Sequence, residues 1–447
     1  MPEAVGFLLD RFRAAGPKTA FIEPDGSTVS YAELLGLIEG VTELLNANDV
    51  PPGASVQLRG DFSAASAAWL IALWRVLAIV TPVAPSSYEK ADEFLNVAAA
   101  EWIADPATNQ ITRAAGNSKH SLYDILRSHK TPGLIIFSSG TTGASKGALH
   151  DATRLLGKFQ NPGKDFVTLA FLLFDHIAGI DTLFYCLANG STIVCPPDRG
   201  PSTICRLIED HRVEVLPTAP SFLNLLLLSN VTENHDLSSL KIITYGAEMM
   251  PQGLLERVTE AFPETRIIQK YGTSEIGALR SQSEDSRSRW IRLGGAEWRV
   301  VDGLLEIKTR TAMLGYLNAP SPFTKDGWYE TGDQVEVKGD LIRFLGRDSD
   351  IINVGGQKVF PAEVEAAIRN IDGVAEVAVF GKAHPILGAI VCARVRMQDP
   401  TFAAPDARTA IRKGLVGKLE SYKIPQKIEI TQDALTTARF KQHRAHK

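Results

Sequence analysis

The feature that most constrains this chain is an alternation. Short apolar, β-branched runs take turns with stretches of helical periodicity over most of its length. Leu134-Ile135-Ile136-Phe137, Ser191 to Val194, Val213 to Leu216 and Leu240 to Thr244 read as buried strands. Pro201 to His211 and Ser221 to Ser229 read as helices between them. Strands that are apolar throughout bury both faces, so helices must cover the sheets on either side. An α/β architecture of layered sheets and helices follows. The pattern changes after about residue 290. Trp298 to Val301 and Leu304 to Ile307 flank Asp302-Gly303, and Val335 to Lys338 and Leu341 to Phe344 flank Gly339-Asp340. Both are hairpin patterns. A smaller α+β unit comes next, with a helix over Pro361 to Asn370 and an alternating strand over Val374 to Phe380. A boundary near Arg347 divides the chain into a large N-terminal domain, 1–346, and a small C-terminal domain, 347–447.

Composition narrows the function classes. The chain has 447 residues, 45% hydrophobic and 22% charged, with a net charge of −4 and the two signs mixed. That balance excludes a nucleic-acid binder, which would carry a strongly basic face. Cys186, Cys195, Cys205 and Cys392 form neither a CxxC pair nor a Cys/His cluster of zinc spacing, and a reduced cytoplasmic protein is the simplest expectation. Met1-Pro2-Glu3-Ala4 lacks the basic start and apolar core of a signal peptide. Phe62 to Val83 is apolar and long enough to span a bilayer. Arg75 interrupts it, and Pro82 and Pro85 close it off, so a buried helix leading into a strand is expected instead of a membrane span.

The segment Ser138-Ser139-Gly140-Thr141-Thr142-Gly143-Ala144-Ser145-Lys146-Gly147 follows directly on the strand at Leu134 to Phe137. Its glycines let the backbone turn amides inward as an anion nest, and its hydroxyls and Lys146 add donors for phosphate oxygens. It is not a Walker loop, because Lys146 stands between Ser145 and Gly147 where that motif needs Gly before the Lys and Ser or Thr after it. Elsewhere Glu275 ends a glycine-containing polar turn and offers a hard oxygen ligand suited to Mg²⁺, and Asp333 sits beside Gly332 in what reads as a turn.

These segments resemble the adenylate-forming superfamily, which contains acyl-CoA synthetases, peptide-synthetase adenylation domains and luciferases. Besides the phosphate loop, Tyr271-Gly272-Thr273-Ser274-Glu275, Gly315-Tyr316, Tyr329-Glu330-Thr331-Gly332-Asp333, Gly346-Arg347 through Asp350 to Gly355-Gly356, and Pro361-Ala362-Glu363-Val364-Glu365 match family segments in the family's order. The matches cover roughly residues 20 to 447. The resemblance implies that Ser138, Ser139, Gly140, Thr141, Thr142, Gly143 and Lys146 hold ATP phosphates, that Thr273 contacts the α-phosphate, and that Glu275 holds the magnesium. It assigns Asp333 to the ribose hydroxyls, Gly246-Ala247-Glu248 to one face of adenine and Tyr271 to the other, with Gly272 and Arg347 also at the nucleotide.

His176, in Phe174-Asp175-His176-Ile177-Ala178-Gly179, is similar to the aromatic position beside the substrate carboxylate. Asp175 competes with it, since peptide-synthetase domains use a Phe-Asp pair here to grip an amino group. Phe174, Asp175, Ser221 and Thr244 are expected to wall the acid pocket. The resemblance implies that the small domain is a mobile lid that turns about Ser349 or Asp350, and that Gly355-Gly356 and Lys358 line a pantetheine tunnel. The family's final Thr-x-x-Gly-Lys-x-x-Arg is approached by Thr437, Lys441 and Arg444, with Phe440 in place of Gly. Lys441 is then the adenylation lysine. A rival register places Arg439-Phe440-Lys441 beyond the motif and deletes that lysine.

The expected activity is ATP-dependent conversion of a carboxylic acid to acyl-AMP, then transfer to a phosphopantetheine thiol, with coenzyme A favoured over a separate acyl carrier protein. A stand-alone enzyme loading an amino or aryl acid onto a carrier, a non-catalytic nucleotide-binding homologue and a luciferase-like oxygenase are the alternatives.

Overall fold

The computed structural model describes residues 3–139, 144–399, 401, 404–433 and 435. Two seven-stranded sheets form the bulk of the N-terminal part. The first runs Arg266–Gln269, Ile242–Tyr245, Val215–Thr218, Val167–Leu169, Thr192–Val194, Thr19–Ile22 and Thr28–Ser30, parallel except for the last strand. The second is centred on Ser55–Arg59, Ile79–Val83 and Gly133–Ser139, also parallel, with antiparallel strands toward its edges. A six-stranded antiparallel sheet contains both hairpins read from the sequence, Glu297–Val301 with Leu304–Lys308 and Tyr329–Lys338 with Leu341–Arg347. Residues 352 to 430 build a five-stranded sheet with the helices Pro361–Arg369 and Ala404–Leu415, around a hydrophobic core of their own.

The apolar stretch at Phe62 to Val83 becomes the helix Ala64–Arg75 and the strand Ile79–Val83. Ten of that helix's positions are buried because it lies between layers, not against one. Trp74 fixes it. Its ring stacks on Phe184 of the helix Ile177–Ala188, with centroids 5.0 Å apart, and its Nε1–H donates to the Gly133 carbonyl at 3.0 Å. One side chain therefore ties a helix of the second sheet to a helix of the first. Among the described residues no helix is long and apolar enough to cross a membrane.

Two local expectations are corrected. The two ends of the Ser138 to Gly147 segment are strand, since Gly133–Ser139 and Ser145–Asp151 pair antiparallel, with Ser138 opposite Lys146 and Ser139 opposite Ser145. Backbone donors and acceptors next to a buried strand need partners, and the two legs supply them to each other. Asp333 lies within the strand Tyr329–Lys338, not in a turn. Gly332 has a φ of +70° and the register shifts between Gln334 and Val335, so the glycine marks a strand irregularity.

The Trp74 anchor makes a prediction. Trp74→Ala should cost about 3–5 kcal/mol of stability, as large-to-small core substitutions do. Urea denaturation of the two proteins checks it, and Trp74→Phe should recover most but not all of the loss because the hydrogen bond to Gly133 stays broken.

Candidate active site

A cavity of about 1410 Å³ opens where the first sheet, the six-stranded sheet and the C-terminal unit meet. Of the residues singled out in the sequence, Ser138, Lys146, His176, Thr244, Gly246, Ala247, Glu248, Tyr271, Gly272, Thr273, Glu275, Asp333, Arg347, Asp350 and Lys358 line it. Gly140, Thr141, Thr142, Gly143 and Lys441 lie outside the described residues, as does the side chain of Ser139.

Three of the carboxyl groups that line this cavity, Glu275 and Asp333, which are buried, and Glu248, which is half-buried, are each treated differently. Glu275 sits at the tip of the small hairpin formed by Gly272–Thr273 and Gly277–Ala278. Burial works to raise its pKa, but hydrogen bonds from Tyr316, Thr273 and Tyr329 outweigh it and hold the group below the ordinary glutamate value. The Tyr316 hydroxyl donates to Oε1 at 2.5 Å, and the Lys146 ammonium lies 5.4 Å from the centre of the Tyr316 ring. The turn is braced from behind by His150, whose Nε2 is 2.6 Å from the Ser274 carbonyl. A Glu275 kept ionised and aimed into the cavity suits a hard cation.

Asp333 is shared. The Tyr271 hydroxyl donates to Oδ2 at 2.7 Å, and Arg347 Nε lies 3.1 Å from Oδ1. Burial raises the Asp333 pKa, against the Arg347 charge and the Tyr271 hydrogen bond. The Tyr271 ring stacks on Phe344 with centroids 4.4 Å apart, which covers one of its faces.

Glu248 follows Ala247, which takes a φ of +65°, rare for a residue with a Cβ. The turn swings the carboxyl back so that Oε2 accepts the Ser221 N–H at 3.0 Å, in the first turn of the helix Pro220–Leu228. Its Oε1 has no hydrogen-bond partner among the described residues. Burial pushes the pKa up to about 7, offset in part by Ser221 and by the Arg369 charge.

The acid-pocket expectation is corrected in part. Phe174 is wholly buried and packs edge-on against Phe62, centroids 5.7 Å apart. Asp175 accepts from the Ser87 hydroxyl at 2.5 Å. Neither lines the cavity, nor does Ser221. The cause is a tight turn: the His176 N–H donates to the Leu173 carbonyl at 3.1 Å, and a Cβ at Gly179 would lie 1.9 Å from that same oxygen. The backbone pressed against the helix start turns 174 and 175 inward and leaves His176 to face the cavity.

Gly355 and Gly356 do not line it either. They have φ of +58° and +87° and form the two-residue connection between Ile352–Val354 and Gln357–Val359, with Val354 paired to Gln357. Two consecutive positive φ values are what this hairpin asks of its turn, so glycine is explained by backbone conformation and not by lack of room. A Cβ at Gly356 would meet nothing within 4 Å. Ser349 and Asp350 belong to a short 3₁₀ turn, Asp348–Asp350, tied to the strand Tyr329–Lys338 by Gln334 Nε2 donating to Asp348 at 2.9 Å. Tyr316 and Tyr329 are site residues that no motif singles out, although both stand inside segments that match the family. Their hydroxyls act on Glu275, a contact between distant segments that no local pattern carries.

Comparison with known proteins sets the class and then the family. The model for AMP-binding enzymes matches residues 99–317, and that for the AMP-binding enzyme C-terminal domain matches 363–441. The chain belongs to the adenylate-forming, AMP-binding enzyme family. It is 30% identical over 314 residues to a 3-[(3aS,4S,7aS)-7a-methyl-1,5-dioxo-octahydro-1H-inden-4-yl]propanoyl:CoA ligase of Rhodococcus jostii, a match covering 66% of this chain and 60% of that ligase. It is 26% identical to an indoleacetate–CoA ligase of Aromatoleum aromaticum over 96% of this chain and 94% of that one. The crystal structure of the anthranilate CoA ligase AuaEII with anthranoyl-AMP superposes with a TM-score of 0.83 at 22% identity, covering 98% of this chain and 95% of that one, which establishes the shared fold.

The Glu248 geometry predicts a pH effect on stability. Its carboxyl titrates near 7 when folded and near the ordinary 4.3 or so when unfolded, so the folded state binds the extra proton between those values. The stabilisation is complete below the unfolded pKa and is lost as pH rises through the folded one. Glu248→Gln should therefore gain stability relative to the parent as pH goes from about 4.5 to about 7, by up to ~3 kcal/mol. Denaturation midpoints across that range check it; a constant difference would place the buried charge elsewhere.

Proposed function

We propose that this protein activates a carboxylic acid with ATP, forming an acyl-adenylate and pyrophosphate, and then passes the acyl group to a phosphopantetheine thiol, coenzyme A in preference to a carrier protein. The observation that carries the proposal is the gathering, in one cavity, of Lys146 from the hairpin, the Glu275–Tyr316 pair and the Asp333–Tyr271–Arg347 cluster. The coenzyme A ligases among its relatives support the choice of acceptor.

In the first half-reaction a carboxylate oxygen attacks the α-phosphorus and the bond to pyrophosphate breaks. Lys146 and the hairpin amides hold phosphate oxygens, Thr273 meets the α-phosphate, and Asp333 accepts hydrogen bonds from the ribose hydroxyls on the lone pairs that Tyr271 and Arg347 leave. Gly246-Ala247-Glu248 and Tyr271 flank the base, and His176 faces the reacting carboxylate. Catalysis of this kind is mainly positioning and electrostatic stabilisation. The donor set fits magnesium: Glu275 would hold it, with phosphate and water oxygens completing its shell, since the described residues contain no cluster of three His, Cys, Asp or Glu side chains. The bound ion would neutralise phosphate charge. In the second half-reaction a thiolate attacks the acyl carbonyl and AMP leaves. Residues 347–447 act as a lid over residues 1–346, presenting Lys441 for adenylation and turning about Ser349 and Asp350 so that Gly355, Gly356 and Lys358 guide the thiol. Four buried free cysteines accord with a reduced, cytoplasmic setting.

The test is acid-dependent release of pyrophosphate from Mg-ATP, with hydroxylamine trapping the acyl group. Cleavage to ADP and phosphate would overturn the proposal. Asp333→Ala should raise the KM for ATP by about 10- to 100-fold, the worth of hydrogen bonds to a charged group. Lys441→Ala should slow adenylate formation by orders of magnitude while leaving thiol transfer from supplied acyl-adenylate nearly intact; full adenylation activity would remove Lys441 from the mechanism.

A further inference from the structure

Behind its polar rim the cavity continues between one face of the first sheet and the helix Ile177–Ala188. The sheet side is formed by Val215, Pro217, Ile242 and Ile268, with Thr168 and Thr244 on the same face, a mostly apolar floor. Residue 270 continues the two-residue alternation of that face, with its N–H donating to the Tyr245 carbonyl at 2.7 Å, and Lys270 lines the cavity there. An ammonium on such a floor calls for a counter-charge.

Among the described residues the Lys270 side chain makes no ion pair and no hydrogen bond. The carboxylate nearest in influence, Asp181 on the facing helix, is already paired with Lys158. Lys158 also donates to the Ala278 carbonyl at 2.6 Å, which keeps it in place. Two lysines thus act on one carboxylate, and one positive charge is left over. Burial lowers the Lys270 pKa, Asp181 works against that and Lys158 adds to it. The side chain is exposed, but to the cavity, so an anion entering from the rim can reach it. Such an anion would make the charge-assisted hydrogen bond that none of the described residues makes to this ammonium.

We propose that the acid activated by this protein carries a second carboxylate, and that Lys270 is the specificity residue that holds it. The substrate class is a dicarboxylic acid with an apolar spacer lying along the Val215–Ile242–Ile268 floor. The carboxylate that reacts must stay free to attack phosphorus at the rim. One paired with an ammonium has its oxygens engaged and is suited to be the spectator. The inference rests on the adenylation reading above.

The experiment measures pyrophosphate release from Mg-ATP with pairs of aliphatic and aromatic acids matched in length, one member of each pair a monocarboxylic and the other a dicarboxylic acid. A charge-assisted hydrogen bond predicts a kcat/KM about 10- to 100-fold higher for the diacid. Lys270→Met should erase that preference through the KM for the diacid, with the KM for ATP unmoved, and Lys270→Arg should keep it. A wild-type enzyme that turns over the monoacids better, or a Lys270→Met enzyme that retains the diacid preference, overturns the inference and leaves adenylation standing. No pyrophosphate release with either set would overturn adenylation and the inference together. Should Lys270→Met fail to fold, Lys270→Gln and the wild-type preference decide the matter by the same outcomes.

Discussion

Keeping carboxylates out of bulk water without letting them lose their function is the constraint on which the rest of this structure depends. Glu275, Asp333 and Glu248 sit along one cavity, and desolvation pushes each toward the neutral form. Glu275 resists it with tyrosine hydroxyls. Asp333 resists with a guanidinium and a phenol. Glu248 has only Ser221, through its backbone amide and its hydroxyl, and a more distant arginine, and burial prevails. Tyr316, Tyr329, Tyr271 and Arg347 come from segments far apart in the chain, so the six-stranded sheet and the edges of the two large sheets must meet at one place for any of these carboxylates to hold its charge.

The two large sheets meet through helices, not directly, and that layering gives the cavity its shape. The helix Ile177–Ala188 is the shared element. Its Phe184 receives Trp74 on one side, and its first turns wall the inner chamber on the other. One face of this helix therefore walls the chamber while the opposite face is committed to the core between the two sheets. A hydrophobic core contact and a pocket wall cannot be altered independently there.

Much of this was legible in the sequence. The α/β alternation, the apolar helix-to-strand stretch ending at Val83 and both late hairpins are local patterns, and local patterns survive folding when hydrophobic periodicity and turn residues agree. The cavity residues Lys146, Thr273, Glu275 and Asp333 could be named because they sit in motifs. What escaped was relational. Whether Phe174 or His176 faces the pocket depends on a close backbone approach at Gly179, and the reason for Gly355-Gly356 lies in dihedral angles. Asp333 looked like a turn residue because Gly332 beside it suggests one, whereas a strand can absorb such a glycine as an irregularity. Lys270 carries no motif, and only the absence of a nearby partner makes it conspicuous.

The close approach at Gly179 also bears on how such a pocket can diversify. The wall carrying His176 is locked, because any side chain at 179 would collide with the main chain of Leu173 and displace the whole turn. The opposite wall is built from side chains projecting off strand ends at Val215, Ile242, Ile268 and Lys270, where exchange of one residue leaves the backbone untouched. Variation in what the chamber accepts can accumulate on the sheet, while the helical wall stays as a fixed reference surface. The fold thus separates a fixed gauge from an editable one across the width of a single cavity.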